Sequence, residues 1–200
     1  MKEFWNSLLT EKSWEILQEF RKKYDFILIG GWAAYILTKR QKSKDIDIVV
    51  DLSELQKLKQ ENLLKNDRLK KYEIKKEIDI DIYVEHFSQL TIPVEDIKDY
   101  SIETQGFKIA SPELLLILKQ GAYLDRKNSI KGEKDLIDII SLVLFANPDF
   151  KKYYSIIKRY SLEDYRRELI DLIKNYKDYN ELNLSPNEFK KLKSKILLEI

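Results

Sequence analysis

The sequence predicts an α+β fold: a mixed β-sheet with helices on one side, followed by an all-helical C-terminal lobe. Three observations carry this. Short hydrophobic runs alternate with helical patterns over the first half of the chain. A β-rich stretch with polar–apolar alternation follows, from about residue 68 to residue 110. After Ser111-Pro112-Glu113 only helical periodicity remains. The expected units are an α/β core at 1–110 and a helical lobe at 111–200 packed on it. No Gly/Ser/Pro-rich spacer separates them.

In chain order, Trp14, Ile16, Leu17 and Phe20 fit a helix between Thr10, a plausible cap, and Tyr24. "DFILIGG" reads as a short buried strand ending in two glycines, and "WAAYILTKR" as a helix of good formers. "DIDIVVDL" is the next strand, and Ser53 would cap a helix through Leu64. "RLKKYEIKK" and "EIDIDIYVE" have the period of half-buried strands, and "SIETQGFKIA" suggests a further strand or hairpin turning at Gly106. Proline at the first helical position opens the C-terminal half. Breaks follow near Asn128–Gly132, at Asn147-Pro148, at Ser161 and at Ser185-Pro186.

Composition removes several chemistries. There is no cysteine, hence no disulfide, thiolate zinc site or thiol nucleophile. The single histidine, His86, excludes a multi-histidine metal site and argues against Ser-His-Asp catalysis. A metal would be held by oxygen, which suits Mg²⁺ or Mn²⁺. With 36 basic and 34 acidic residues the net charge is +2, so no global field draws the chain to nucleic acid. No run approaches the roughly eighteen apolar residues of a membrane span. "MKEFWNSLLTEK" lacks the apolar stretch and cleavage site of a signal peptide, so a cytoplasmic protein without membrane contact is expected.

The informative segment is "ILIGGWAAYILTKRQKSKDIDIVVD". On a strand, Asp45 and Asp47 project from one face while Ile46, Ile48 and Val50 enter the core. Two such anions repel by roughly 4 kcal/mol at an effective dielectric near 20. A divalent cation offsets this directly, and Mg²⁺ is commonly held by one or two carboxylates plus phosphate oxygens. Glu77, Asp79 and Asp81 repeat the pattern on a later strand. If the two strands are neighbours, three acids converge as in two-metal phosphoryl transfer. Gly30-Gly31, between a strand and a helix, lets backbone amides approach a phosphate at the positive end of that helix. Arg40, Lys42, Ser43 and Lys44 stand just before the aspartates as further phosphate contacts.

On these residues, "GGWAAYILTKRQKSKDIDIVVD" resembles the signature of the polymerase-β-type nucleotidyltransferase superfamily: a hydrophobic strand, Gly-Gly or Gly-Ser, a helix, then Asp-hydrophobic-Asp. Within it the chain is similar to small prokaryotic members related to AbiE-type toxins. Those carry an arginine and a Thr or Ser before the first Asp, matched by Arg40 and Ser43. The resemblance implies an NTP substrate such as ATP, Mg²⁺ or Mn²⁺ on Asp45 and Asp47, and a third acid that is Asp81 or Asp79. It also implies transfer of a nucleoside monophosphate to an acceptor hydroxyl on RNA or protein. Further along, "ELLLILKQGAYLDRKNSIKGEKDLIDIISL" is similar to the helical segment after the sheet in those proteins. There Lys119 would reach the phosphates, or Asp135 and Asp138 would pair with Arg126 or Lys119 to fix the lobe. Two other readings use the same fold: a non-catalytic interaction module, antitoxin-like or regulatory, and an aminoglycoside-type modifying enzyme. Oligomeric state is open.

Overall fold

Alternating isoleucines build the sheet. Ile46, Ile48, Ile80 and Ile82 occupy every second position of two segments and are almost wholly buried, while Asp47 and Asp81 between them stay partly exposed. The computed structural model describes the backbone of residues 2–200 and the side chains of residues 7–200. The beginning of the N-terminal run read above for targeting therefore has side chains outside the described residues. The chain divides into two compact units, Met1–Ser111 and Pro112–Ile200.

The first unit runs α1 (Lys2–Phe20), β1 (Ile27–Ile29), α2 (Gly30–Thr38), β2 (Ile46–Val50), α3 (Leu52–Leu58), β3 (Leu64–Asn66), β4 (Lys71–Lys75), β5 (Asp79–Val84), β6 (Ser101–Thr104) and β7 (Phe107–Ala110). Short 3-10 segments occur at Lys59–Glu61 and Val94–Tyr100. The strands form one mixed sheet in the order β3-β4-β5-β2-β1-β7-β6. β2 pairs parallel to β5 and β1 parallel to β7; the other pairings are antiparallel. The predicted α+β class with a mixed sheet and a helical C-terminal half is the observed one.

Local chemistry explains most boundaries. α2 ends because Lys39 turns left-handed (φ 57°) and its N–H closes on Tyr35 O. Trp32 of α2 is buried, donates its indole N–H to Ser13 Oγ at 2.8 Å and packs on Trp14 with ring centroids 5.0 Å apart, which ties α1 to α2. Gln105 and Gly106 both have positive φ, the two-residue turn that joins β6 to β7 without splaying them.

Several boundaries differ from expectation, among them that of β2, which begins at Ile46 and leaves Asp45 in the bend before it. α1 runs to Phe20 from Lys2, and Thr10 is no cap; its hydroxyl donates to Ser7 O inside the helix. The third helix stops at Leu58 and Leu64 begins a strand, because Asn62 takes a left-handed turn (φ 56°). Its cap is Asp51, whose carboxylate accepts from Glu54 N at 2.7 Å and from the Ser53 hydroxyl at 2.7 Å. An anion at a helix N-terminus outcompetes the hydroxyl expected there.

The second unit is helical among the described residues: α4 (Pro112–Arg126), α5 (Ile130–Phe145), α6 (Phe150–Arg159), α7 (Asp164–Asn175) and α8 (Pro186–Glu199). Ser185 and Glu188 form a reciprocal capping box at the start of α8. Tyr153 and Tyr176 are core residues, and Tyr153 donates to Gln120 Oε1 at 2.6 Å. Among the described residues no helix is long and apolar enough to cross a membrane.

Candidate active site

The sheet register assembles the candidate site. Asp47 of β2 is the direct partner of Asp81 on β5, and Asp81 is the direct partner of Glu73 on β4. Registered neighbours share a face, so Asp47, Asp81 and Glu73 form a row across three strands spaced about 4.8 Å apart. On its other side Asp47 faces Ile29, the last residue of β1. Gly30 follows at once, and the row therefore begins at the N-terminus of α2.

Gly30 fits the space left by Asp47. Its φ is +66°, which side-chain-bearing residues rarely adopt. A Cβ there would collide with Asp47 Oδ2 and lie 2.6 Å from Asp47 Cγ. The carboxylate thus rests against the glycine backbone. Ile29, the residue before α2, is extended, and its apolar side chain gives no cap.

Asp45 precedes β2, in the bend that leads into it, and is exposed. Asp79 opens β5 and is also exposed, level with Lys75 of β4. Gly31 and Ser43 are buried, while Arg40 and Lys44 are half-buried. Asp45 stands two residues before Asp47, on the glycine side of α2. Arg40 starts from its other end, about 13 Å away at 1.5 Å per residue. Lys119 lies in the second unit, where its ammonium meets Asp138 Oδ2 at 2.6 Å and Asp135 Oδ1 at 3.2 Å. Arg126 holds the other Asp135 oxygen at 2.7 Å.

One residue of the row, Glu73, was not singled out from sequence, and neither was its pairing with Lys71. Lys71 Nζ lies 2.6 Å from Asp81 Oδ2 and 3.1 Å from Glu73 Oε1; Lys75 Nζ lies 3.3 Å from Glu73 Oε2. Asn66 Nδ2 also donates to Glu73 at 3.2 Å. The alternation in "KYEIK" puts Lys71, Glu73 and Lys75 on one face, which is the signal that could have found them. Burial pushes the Asp81 carboxyl above its ordinary range against the pull of Lys71, and the charges of Glu73 and Asp45 add to the rise. Burial acts on Glu73 in the same direction, but Lys71 and Lys75 outweigh it and hold Glu73 below its ordinary range.

The donor set suits a hard divalent cation: carboxylate oxygens only, two of them registered on one face. Among the described residues no group of three or more His, Cys, Asp or Glu side chains is gathered as a metal site. The geometry supplies a reason, since Lys71 engages Asp81 on the side of Glu73 while Asp45 stays in the exposed bend.

No protein-family model matches the chain, and no curated protein does. Among solved structures it is similar to an antigenic nucleotidyltransferase-like protein from Paracoccidioides brasiliensis. The two share 21% identity over 68% of this chain and 75% of the other, with a TM-score of 0.40. A likeness that distant assigns neither family nor activity.

Proposed function

We propose that the protein is a metal-dependent nucleotidyltransferase of the cell interior that moves a nucleoside monophosphate from an NTP to an acceptor hydroxyl. One observation carries the reading: Asp47 and Asp81 are registered on adjacent parallel strands, and Asp47 rests on Gly30 at a helix N-terminus without a side-chain cap. A carboxylate pair beside the start of a helix supports this reading, because a triphosphate–cation complex requires both acids for the ion and backbone amides for the phosphates.

In this reading Asp45, Asp47 and Asp81 hold Mg²⁺ or Mn²⁺, with Asp79 as the alternative third acid. The ion, when bound, neutralises charge on the triphosphate and the departing pyrophosphate. The amides of Gly30 and Gly31 receive phosphate oxygens, and Ser43, Lys44 and Arg40 add contacts. Asp81 orients the acceptor hydroxyl and takes its proton on a carboxylate oxygen. The acceptor oxygen forms a bond to the α-phosphorus, the α–β bridge breaks, and pyrophosphate leaves. Lys119, already held by Asp135 and Asp138, is assigned to the helical unit. The resemblance to AbiE-type toxin relatives favours RNA or protein as acceptor and a place in a toxin–antitoxin pair.

A second reading, a non-catalytic interaction module, is favoured by the engagement of Asp81 by Lys71. Thermal melting with each NTP plus Mg²⁺ separates the two. Catalysis requires a rise in Tm of several degrees with at least one NTP, lost in Asp47→Asn. No rise with any of the four NTPs supports the module. Incubation with α-labelled NTP, total RNA and cell protein then identifies the acceptor.

A further inference from the structure

The pair Lys71–Glu73 lies within β4 and is set into the acid row. Lys71 bridges Asp81 Oδ2 and Glu73 Oε1, with only 12% of its side chain exposed. Glu73 is buried and has further donors of its own, Lys75 and Asn66. Lys71 has a flexible stem and two carboxylates within reach. It can release Asp81 and stay on Glu73, so neither charge is stranded in the sheet.

We propose that Lys71 and Glu73 form a built-in cation gate: Lys71 neutralises Asp81 while no divalent ion is bound, and withdraws onto Glu73 when an ion takes the Asp47–Asp81 pair. The proposal rests on the reading of that pair as a cation site. It assigns Glu73 as the residue that receives the lysine rather than as a ligand of the ion. Both Lys71 and Glu73 are positioning residues, acting through Asp81. Without the gate, Asp47 and Asp81 would face each other across one strand spacing with no cation on Asp81. With it, the metal-free protein keeps a cation on Asp81, at the expense of affinity for the incoming ion.

The test is Mn²⁺ binding, read from the free-ion electron paramagnetic resonance signal without nucleotide. It uses the whole chain as wild type, Lys71→Met, Glu73→Gln, the double variant and Asp47→Asn. The gate predicts binding about tenfold tighter in Lys71→Met and several-fold weaker in Glu73→Gln, where the lysine has no second carboxylate. It also predicts that Glu73→Gln has no effect once Lys71 is Met, because Glu73 acts only through the lysine. A fixed electrostatic field would give Glu73→Gln the same effect in both backgrounds, and that result overturns the gate. So does Lys71→Met binding no tighter than wild type. If wild type binds no Mn²⁺ while Lys71→Met does, and adding Asp47→Asn to Lys71→Met abolishes that binding, the gate stands and the catalytic reading falls. Binding that survives Asp47→Asn, or no binding in any variant, overturns both. Circular dichroism melts verify folding, and Lys71→Gln replaces Lys71→Met should the latter not fold.

Discussion

Gly30 shows how much one residue decides. A left-handed backbone and contact with the Asp47 carboxylate leave no room for any side chain. Gly30→Ala is expected to cost on the order of 1–3 kcal/mol, the usual range for a residue forced into a sparsely populated backbone region. It should also displace Asp47, so urea melts will show the loss and any NTP–Mg²⁺ thermal shift will disappear with it. The doublet was legible in the sequence as a glycine bend suited to a phosphate, but its contact with Asp47 was not. That contact depends on the antiparallel partnership of Ile29 with Asp47, between residues eighteen positions apart.

At the scale of elements, caps and ion pairs fix where each helix begins and how the helical unit holds together. Asp51 caps α3, and hydrogen bonds from Glu54 N first, then from the Ser53 hydroxyl, hold its carboxyl below the ordinary range. Asp51→Ala should therefore cost about 1 kcal/mol at neutral pH. A group with a lowered folded pKa contributes stability above its unfolded pKa and loses it as pH falls through the folded one. Chemical denaturation of both proteins should accordingly show the difference shrinking below the ordinary carboxylate range. In the second unit, Asp135 lies buried between Lys119 of α4 and Arg126 at the end of that helix. Asp135→Ala removes the carboxylate shared by Lys119 and Arg126 while Asp138 stays on the lysine, and the expected loss is about 2–3 kcal/mol. Arg126→Ala, at a side chain 42% exposed, should cost about 1 kcal/mol or less. Equal losses in denaturation would contradict this assignment. The pairing of Asp135 and Asp138 with Lys119 was one of two roles the sequence offered; their burial, which makes it strong, was visible only in the fold.

At the scale of the whole molecule, the two units differ as the sequence pattern differs. Alternation and short runs give way to helical period at Ser111-Pro112, and the observed division falls there. The balance of 36 basic and 34 acidic residues also acts at this scale. A net charge of +2 gives little counterion release, so non-specific duplex DNA should show no band shift at physiological salt. Retention there would reveal a local basic surface that the total conceals.

By itself, the sequence determined the α+β class, the strand–Gly-Gly–helix–acid strand order and the face that Asp47 and Asp81 take, because periods of 2 and 3.6 are local properties of the backbone; the strand read from Asp45 begins only at Ile46. Tertiary structure alone decided that Asp47 meets Asp81, that Glu73 extends the row, and that Lys71 is shared between two of its members. Those facts depend on register between strands distant in sequence. Register is set by how Ile46, Ile48, Ile80 and Ile82 pack together in the core, and one residue of slip would turn every acid in the row to the opposite face.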